Sequence, residues 1–181
     1  NLPSLSSADA DAVRRAVRYL YDLGHRQIAR VGGPESLAHS YIRDSAFADV
    51  ASELGMRYRC LHTDYTPETG REATKRLLAF SEHPTAIIYD NDVMALAGLG
   101  VAASQGIKVP EEISIMSWDD SLMCTAAYPN LTAMGRDVVD TGKQAAGLLL
   151  KLIGGERVGH LMEGPYELRA RASTGPAPAA E

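Results

Sequence analysis

Basic clusters, paired cysteines and long apolar runs are all missing from this sequence, and each absence closes off a class of function. Its 181 residues hold 18 Lys and Arg against 23 Asp and Glu, a formal net charge of −5, with no run of Lys or Arg longer than two. Phosphate neutralisation supplies most nucleic-acid affinity and needs clustered cations, so the chain is not expected to grip DNA by itself. Two cysteines, Cys60 and Cys124, stand far apart and in no metal-ligand spacing. That spacing argues against a zinc site and a disulfide framework; no metal or cofactor is expected, and Cys124 in SLMCTAAYP reads as a buried neutral thiol. No apolar run approaches the roughly 18 residues of a membrane span, and the first residues form no charged-then-apolar leader. The expectation is a cytoplasmic chain with no membrane partner.

What is present is an ordinary globular composition, 45% hydrophobic and 23% charged, enough for one core. Ser7 is read as the start of a first helix, with acids in its first turn and Gly24 at its end. Val13, Ala16, Val17 and Leu20 fall at i, i+3, i+4, i+7 and give one apolar stripe. QIARVGG then predicts a strand, HSYIRDSAFADVASELG a helix, RCLHTDY a weak strand. Thr66 followed by Pro67 predicts a sharp helix start. PTAIIYD and EEISIMSWDD are strands around a helix closed by Gly106. A short strand at LTAMG, a helix from about 137 to 153, and two short strands around Gly164-Pro165 follow; GPAPAAE, residues 175–181, is a Pro-rich tail expected to be disordered. Strand and helix alternate four times with short connections, which predicts an α/β fold with a parallel sheet and helices on both faces.

In open sheets of this kind ligands bind beyond the carboxyl ends of the strands. Here those ends carry Gly32-Gly33-Pro34 with the loop to Arg43, Asp64-Tyr65, Asp90-Asn91-Asp92, and Trp118-Asp119-Asp120. Carboxylates and amides pair with vicinal hydroxyls, a guanidinium donates two parallel bonds, and an aromatic face covers sugar C–H groups. The set suits a sugar, polyol or nucleoside. Each residue also has a plainer reading. One of Asp90 and Asn91 caps the next helix, Asp120 caps or braces its loop, Trp118 and Tyr65 pack or stack, Arg43 is solvated, and His25 fixes the helix-to-strand turn. GGPES carries neither a Gly-x-Gly-x-x-Gly fingerprint nor a phosphate loop, no Ser lies in a nucleophile elbow, and no His falls at metal-ligand spacing. A receiver-type enzyme wants a lysine after a late strand, and Lys108 and Lys143 are misplaced for it. No enzyme is expected.

LGHRQIARVGGP, the Arg43-to-Phe47 segment, PTAIIYDNDVMALAGLGVAASQGIKVPEEISIMSWDD, YPNLTAMGRD and ELRARAST together resemble the LacI/GalR transcription regulators, in order and spacing, from about residue 7 to 174. The resemblance implies the periplasmic-binding-protein-like type I fold: two α/β subdomains joined by crossovers, with effector bound between them and a homodimer carrying DNA-binding headpieces. It further implies that residues 8–134 form the C-terminal subdomain, and residues 135–166 a crossover with a remnant of the N-terminal one. Residues 167–174 are then a returning strand, and operator DNA is met only through a helix-turn-helix outside this sequence. Effector contacts are implied at Arg43, Asn91 and Asp119, with Tyr65 stacking, His39 and Tyr41 nearby and Trp118 at the strand end. Phe47 matches an aromatic near the pocket, and Leu99, Leu122 and Met123 are candidates for the dimer interface. Trp118, Arg136 and Ala46 depart from the usual Phe or Tyr, Gln and Gly. The competing function is a periplasmic sugar-binding component of a transporter. The apolar face of the 138–153 helix, carrying Val138, Ala145, Leu149 and Leu152, is expected to be covered by a partner chain or a rearranged segment.

Overall fold

The structure is a computed structural model and describes residues 4–179. Strand β1 (Ser4–Ser6) leads into helix α1 (Asp9–Asp22). Then β2 (Gln27–Gly32), α2 (Ala38–Glu53), β3 (Arg57–His62), α3 (Pro67–Leu78), β4 (Ala86–Tyr89), α4 (Asp92–Ser104) and β5 (Ser114–Trp118) alternate as predicted. A short α5 (Leu122–Ala126), β6 (Thr132–Gly135), α6 (Val138–Ile153), β7 (His160–Met162) and β8 (Glu167–Arg169) follow. Six strands form one sheet in the order β3-β2-β4-β5-β6-β8, parallel except for β8, which returns antiparallel on β6.

The β-branched strands are buried on both faces, as a sheet covered by crossover helices requires. Ile28, Ile88, Met116 and Met134 face α1 and α2, packing with Val13, Val17, Leu20, Phe47 and Val50. Ala29, Val31, Ile87, Tyr89 and Ile115 face α3 and α4, packing with Leu77, Met94 and Leu99. Thr66 caps α3 by accepting the Thr69 N–H, and Pro67 occupies the first turn. His25 is buried and bridges three segments: its ring meets Thr85 Oγ1 at 2.8 Å, Ser114 Oγ at 3.1 Å and the Gly175 carbonyl at 3.1 Å.

Several expectations are corrected. Ser7 does not cap α1; Ala8 precedes the helix, and the Ser7 hydroxyl donates to the Asp9 carboxylate instead. The tail is held as far as Ala177 rather than loose from residue 175 on. Ala177 N–H donates to the Leu23 carbonyl at 2.8 Å, closing over the end of α1; residues 180 and 181 lie outside the described residues. The strand near 158–163 is present, but its partner was not foreseen: β7 pairs in parallel with β1, about 156 residues earlier, as a separate two-stranded sheet. Leu99 is core rather than surface, because it falls on the α4 face turned to the sheet, whereas Leu122 and Met123 are exposed. On α6, Val138, Leu149 and Leu152 are 64%, 58% and 40% exposed. No described segment has rearranged over them, since α1 to α4 are all spent on the six-stranded sheet. No helix among the described residues is long and apolar enough to cross a membrane.

Candidate functional site

The segments just after β3, β4, β5 and β6 meet the starts of α1 and α2 in an open cleft of about 370 Å³. Ser7, Asp9, His39, Arg43, Tyr65, Asp90, Asn91, Asp119, Arg136 and Tyr166 line it. Five of the seven effector residues expected from the sequence are thus brought together: His39, Arg43, Tyr65, Asn91 and Asp119.

Electrostatics organise the floor. Arg30, on β2 and 1% exposed, donates from Nε to Asp90 Oδ1 at 2.9 Å and from Nη2 to Oδ2, a bidentate clamp, while its Nη1 reaches Asp44. Arg43, one turn into α2, donates from Nε to Asp9 Oδ1 at 2.7 Å and lies 3.6 Å from Asp90. Its guanidinium rests on the Trp118 ring, 4.5 Å from the centroid, within cation–π range. Asp9 also receives the Tyr166 hydroxyl at 3.4 Å. Burial alone would raise the Asp9 carboxyl, but the Arg43 charge and the Ser7 hydroxyl outweigh it and hold it below the ordinary aspartate range.

The walls are set by two left-handed residues. Tyr65 has φ 69° and Asp119 has φ 62°, a left-handed conformation that aspartate tolerates and a bulky residue such as tyrosine rarely adopts. Asn91 imposes the first: its amide donates to the Tyr65 carbonyl at 3.1 Å, while its oxygen caps α4 by accepting Met94 N–H at 2.8 Å. The choice between Asp90 and Asn91 as helix cap therefore falls on Asn91, with Asp90 committed to arginine. Tyr65 turns its ring over Gly33, where a Cβ would stand 1.9 Å from the ring carbon Cζ, and meets His39 Nε2 through its hydroxyl at 2.7 Å. Across from them, the Asp119 side chain makes no hydrogen bond or ion pair among the described residues. Asp119 stays open to solvent at the cleft mouth; partial desolvation by the cleft wall raises its carboxyl above the ordinary value, although Arg43 and Arg136 pull the other way.

Two expected residues stand elsewhere. Tyr41 is 71% exposed on the outside of α2, because His39 and Arg43, four apart, share the cleft face and the residue between them points away. Trp118 is 1% exposed and lies beneath the cleft with Tyr166, offering its face to Arg43 rather than to the opening. Phe47 is core. Sequence reasoning overlooked Asp9 and Tyr166 as cleft residues. Asp9 carries no local signal beyond being an acid in the first turn of a helix, because its partner Arg43 lies 34 residues along the chain. Arg30 was hidden inside an apolar run.

Residues 17–174 match the family described as a periplasmic binding protein-like domain. The HTH-type transcriptional repressor CytR of Escherichia coli is 34% identical over 179 residues, covering 96% of this chain and 52% of that protein. A LacI family transcriptional regulator from Bifidobacterium animalis subsp. lactis superposes with a TM-score of 0.95 at 60% identity, over 98% of this chain and 65% of that one. Another, from Arthrobacter sp. in complex with lactose, superposes at 0.84 and 26% identity, over 94% of this chain and 65% of that one. The chain spans about half the length of the curated relatives it matches, and these relatives are transcription regulators rather than enzymes. With its family match running across nearly the whole sequence and its α/β sheet shared with those regulators, the chain belongs to the periplasmic-binding-protein-like family in the form carried by LacI/GalR transcriptional regulators.

Proposed function

We propose that this chain is the larger share of a small-molecule sensor. A neutral, polyhydroxylated effector binds in the cleft at the strand ends, and its binding biases an operator-binding homodimer through the rest of the regulator. One observation carries the effector class. The cleft's cations already hold their own carboxylates, Arg43 with Asp9, Arg30 with Asp90 and Arg136 with Glu163 at 2.6 Å, whereas Asp119 has no cation paired with it among the described residues. An anionic effector would compete with these pairs and face an uncompensated aspartate. A hydroxyl-rich one donates to Asp119 and accepts from the remaining Arg43 N–H groups. The lactose-bound relative from Arthrobacter points to a sugar within that class.

Asp119 and Arg43 are assigned as direct contacts, His39 and Tyr65 as the flanking wall, and Asn91 chiefly as the residue that shapes it. Effector affinity differs between open and closed arrangements of the crossovers, and that difference is what shifts the population seen by the DNA-binding headpieces. Leu122 and Met123 belong to the face proposed for dimerisation. Acting on operator DNA places the regulator in the cytoplasm. The transporter alternative gains no support from relatives that are transcription regulators.

A thermal-shift panel of pentoses, hexoses, polyols, disaccharides and nucleosides, run beside Asp119→Ala, tests the proposal. A ligand present at ~100 times its dissociation constant stabilises by about 2.7 kcal/mol, or roughly 5–11 °C for a domain of this size. A shift for one sugar class that vanishes in the variant supports it. A shift confined to sugar phosphates or sugar acids overturns the neutral-effector reading.

A further inference from the structure

The turn that presents Asp119 is anchored from an unexpected side. Asp120, whose side chain is 5% exposed, receives Arg169 Nη1 at 2.6 Å and Arg171 Nη2 at 2.9 Å, with Arg171 Nη1 also 2.7 Å from its second oxygen. Arg169 ends β8, and Arg171 follows it on the returning segment, where it donates also to the Leu131 carbonyl at 2.6 Å. Gly135 on β6 leaves the room for this approach, since a Cβ there would stand 2.8 Å from the Asp120 Cβ. Among the described residues the backbone of the turn is held by few bonds: the Asp119 carbonyl accepts the Ser117 hydroxyl at 3.4 Å and the Cys124 thiol at 3.6 Å, the Trp118 carbonyl accepts the same hydroxyl at 2.8 Å, and the Ser121 carbonyl accepts the Cys124 N–H at 3.0 Å. Asp119 itself sits at φ 62°, its side chain without a partner among the described residues.

We propose that Asp120 is the positioning residue of the cleft: its ion pairs with Arg169 and Arg171 fix the left-handed turn that presents Asp119 and tie that turn to the returning crossover strand. The proposal rests on the reading of Asp119 as an effector contact, and it extends that reading to the connection between the cleft and the crossovers. β6 leaves the sheet toward Arg136 and α6, and β8 comes back beside it, paired Gly135 to Glu167 and Met134 to Leu168. A carboxylate shared between the cleft turn and β8 makes a displacement of β8 a displacement of Asp119. Effector held by Asp119 in turn restrains β8. Asp120 touches no effector in this scheme; it acts through its neighbour.

Trp118, the single tryptophan, immediately precedes the turn and reports on it. The test compares Asp120→Asn, Arg171→Gln and Arg171→Lys with wild type and with Asp119→Asn, in the whole chain. Trp118 emission and amide hydrogen exchange of residues 118–121 are followed first, without ligand. Asp120→Asn and Arg171→Gln should shift the emission and speed exchange in that turn by at least tenfold, with exchange in α3 unchanged. Arg171→Lys should recover part of the protection and Asp119→Asn should leave the turn as in wild type. Titration with D-ribose, D-glucose and lactose follows, and any probe that binds wild type should bind Asp120→Asn at least tenfold more weakly. Wild-type emission and exchange in both Asp120→Asn and Arg171→Gln, or undiminished probe affinity in Asp120→Asn, overturns the proposal. Should none of the probes bind wild type, the effector reading loses support while the exchange measurements still decide whether Asp120 holds the turn.

Discussion

Removing the Asp90 carboxylate is the perturbation whose size the structure fixes best. Asp90 is 3% exposed, receives the bidentate clamp of Arg30, takes the Gly33 N–H at 3.4 Å and lies 3.6 Å from Arg43. In Asp90→Ala the buried Arg30 guanidinium keeps only Asp44, and Arg43 keeps only Asp9. Breaking a buried pair from one side leaves an uncompensated charge and costs about 3–5 kcal/mol. A domain of this size loses roughly 2–4 °C of melting temperature per kcal/mol, so Asp90→Ala should melt roughly 6–20 °C below wild type. Removing both charges together, as Arg30→Met with Asp90→Leu, should recover most of that loss, because the desolvation cost disappears with the pair. Thermal denaturation followed by circular dichroism on Asp90→Ala, and on Asp90→Leu, Arg30→Met and their double variant arranged as a double-mutant cycle, reads both effects. A single variant within about 1 kcal/mol of wild type, or a double variant no more stable than the single, would refute the view that the cleft floor is an electrostatic clamp.

Three further outcomes follow from the same geometry. Burial depresses the His25 imidazolium below its ordinary value of 6.5, so its contribution to stability is present above the unfolded value and is lost as pH falls through the folded one. Melting temperature should therefore decline below about pH 6.5, and His25→Ala, which strips three partners, should lose about 2–4 kcal/mol and flatten that decline. Gly33→Ala should drive the Tyr65 ring off His39 and cost about 1–3 kcal/mol by overpacking, with weaker effector binding; an unchanged melting temperature would show that the ring has room elsewhere. Asp119 has its carboxyl raised by desolvation, so it takes up a proton before an ordinary aspartate does. Effector affinity should start to fall while pH is still above the usual aspartate value of 3.8, a decline that Asp119→Asn should abolish in a calorimetric pH series.

The alternation of strands and helices, the Thr66-Pro67 start and the strand-end edge where the cleft opens were legible because they are local: periodicity, caps and strand ends lie within a few residues of one another. The pairing of β1 with β7 was not, since three-residue strands at opposite ends of the chain carry no local signal. Arg30 shows the same limit. In sequence it interrupts an apolar run, and only folding brings Asp44 and Asp90 to its two sides. The candidate site divides likewise. Arg43 and Asp119 could be named from the strand-end edge and the family resemblance, whereas the side-chain commitments of Asp90, Asn91 and Asp9 depend on partners that three-dimensional packing supplies. Tyr41 could have been placed by helical periodicity, because His39 and Arg43 already define the inward face. Trp118 falls beneath the cleft because the strand places it on the α1 and α2 face, where Tyr166 and Arg43 close over it.

The central claim, an uncharged polyhydroxylated effector read by Asp119, is tested most directly by isothermal titration of wild type and Asp119→Ala with the sugar that gives the largest thermal shift. Loss of one charge-assisted hydrogen-bond partner is worth about 1.5–3 kcal/mol, so the variant should bind roughly 10- to 150-fold more weakly while folding at an unchanged or slightly higher temperature. Equal affinity in the two proteins would contradict the account, because the effector would then be held by something other than the unpaired carboxylate of the cleft.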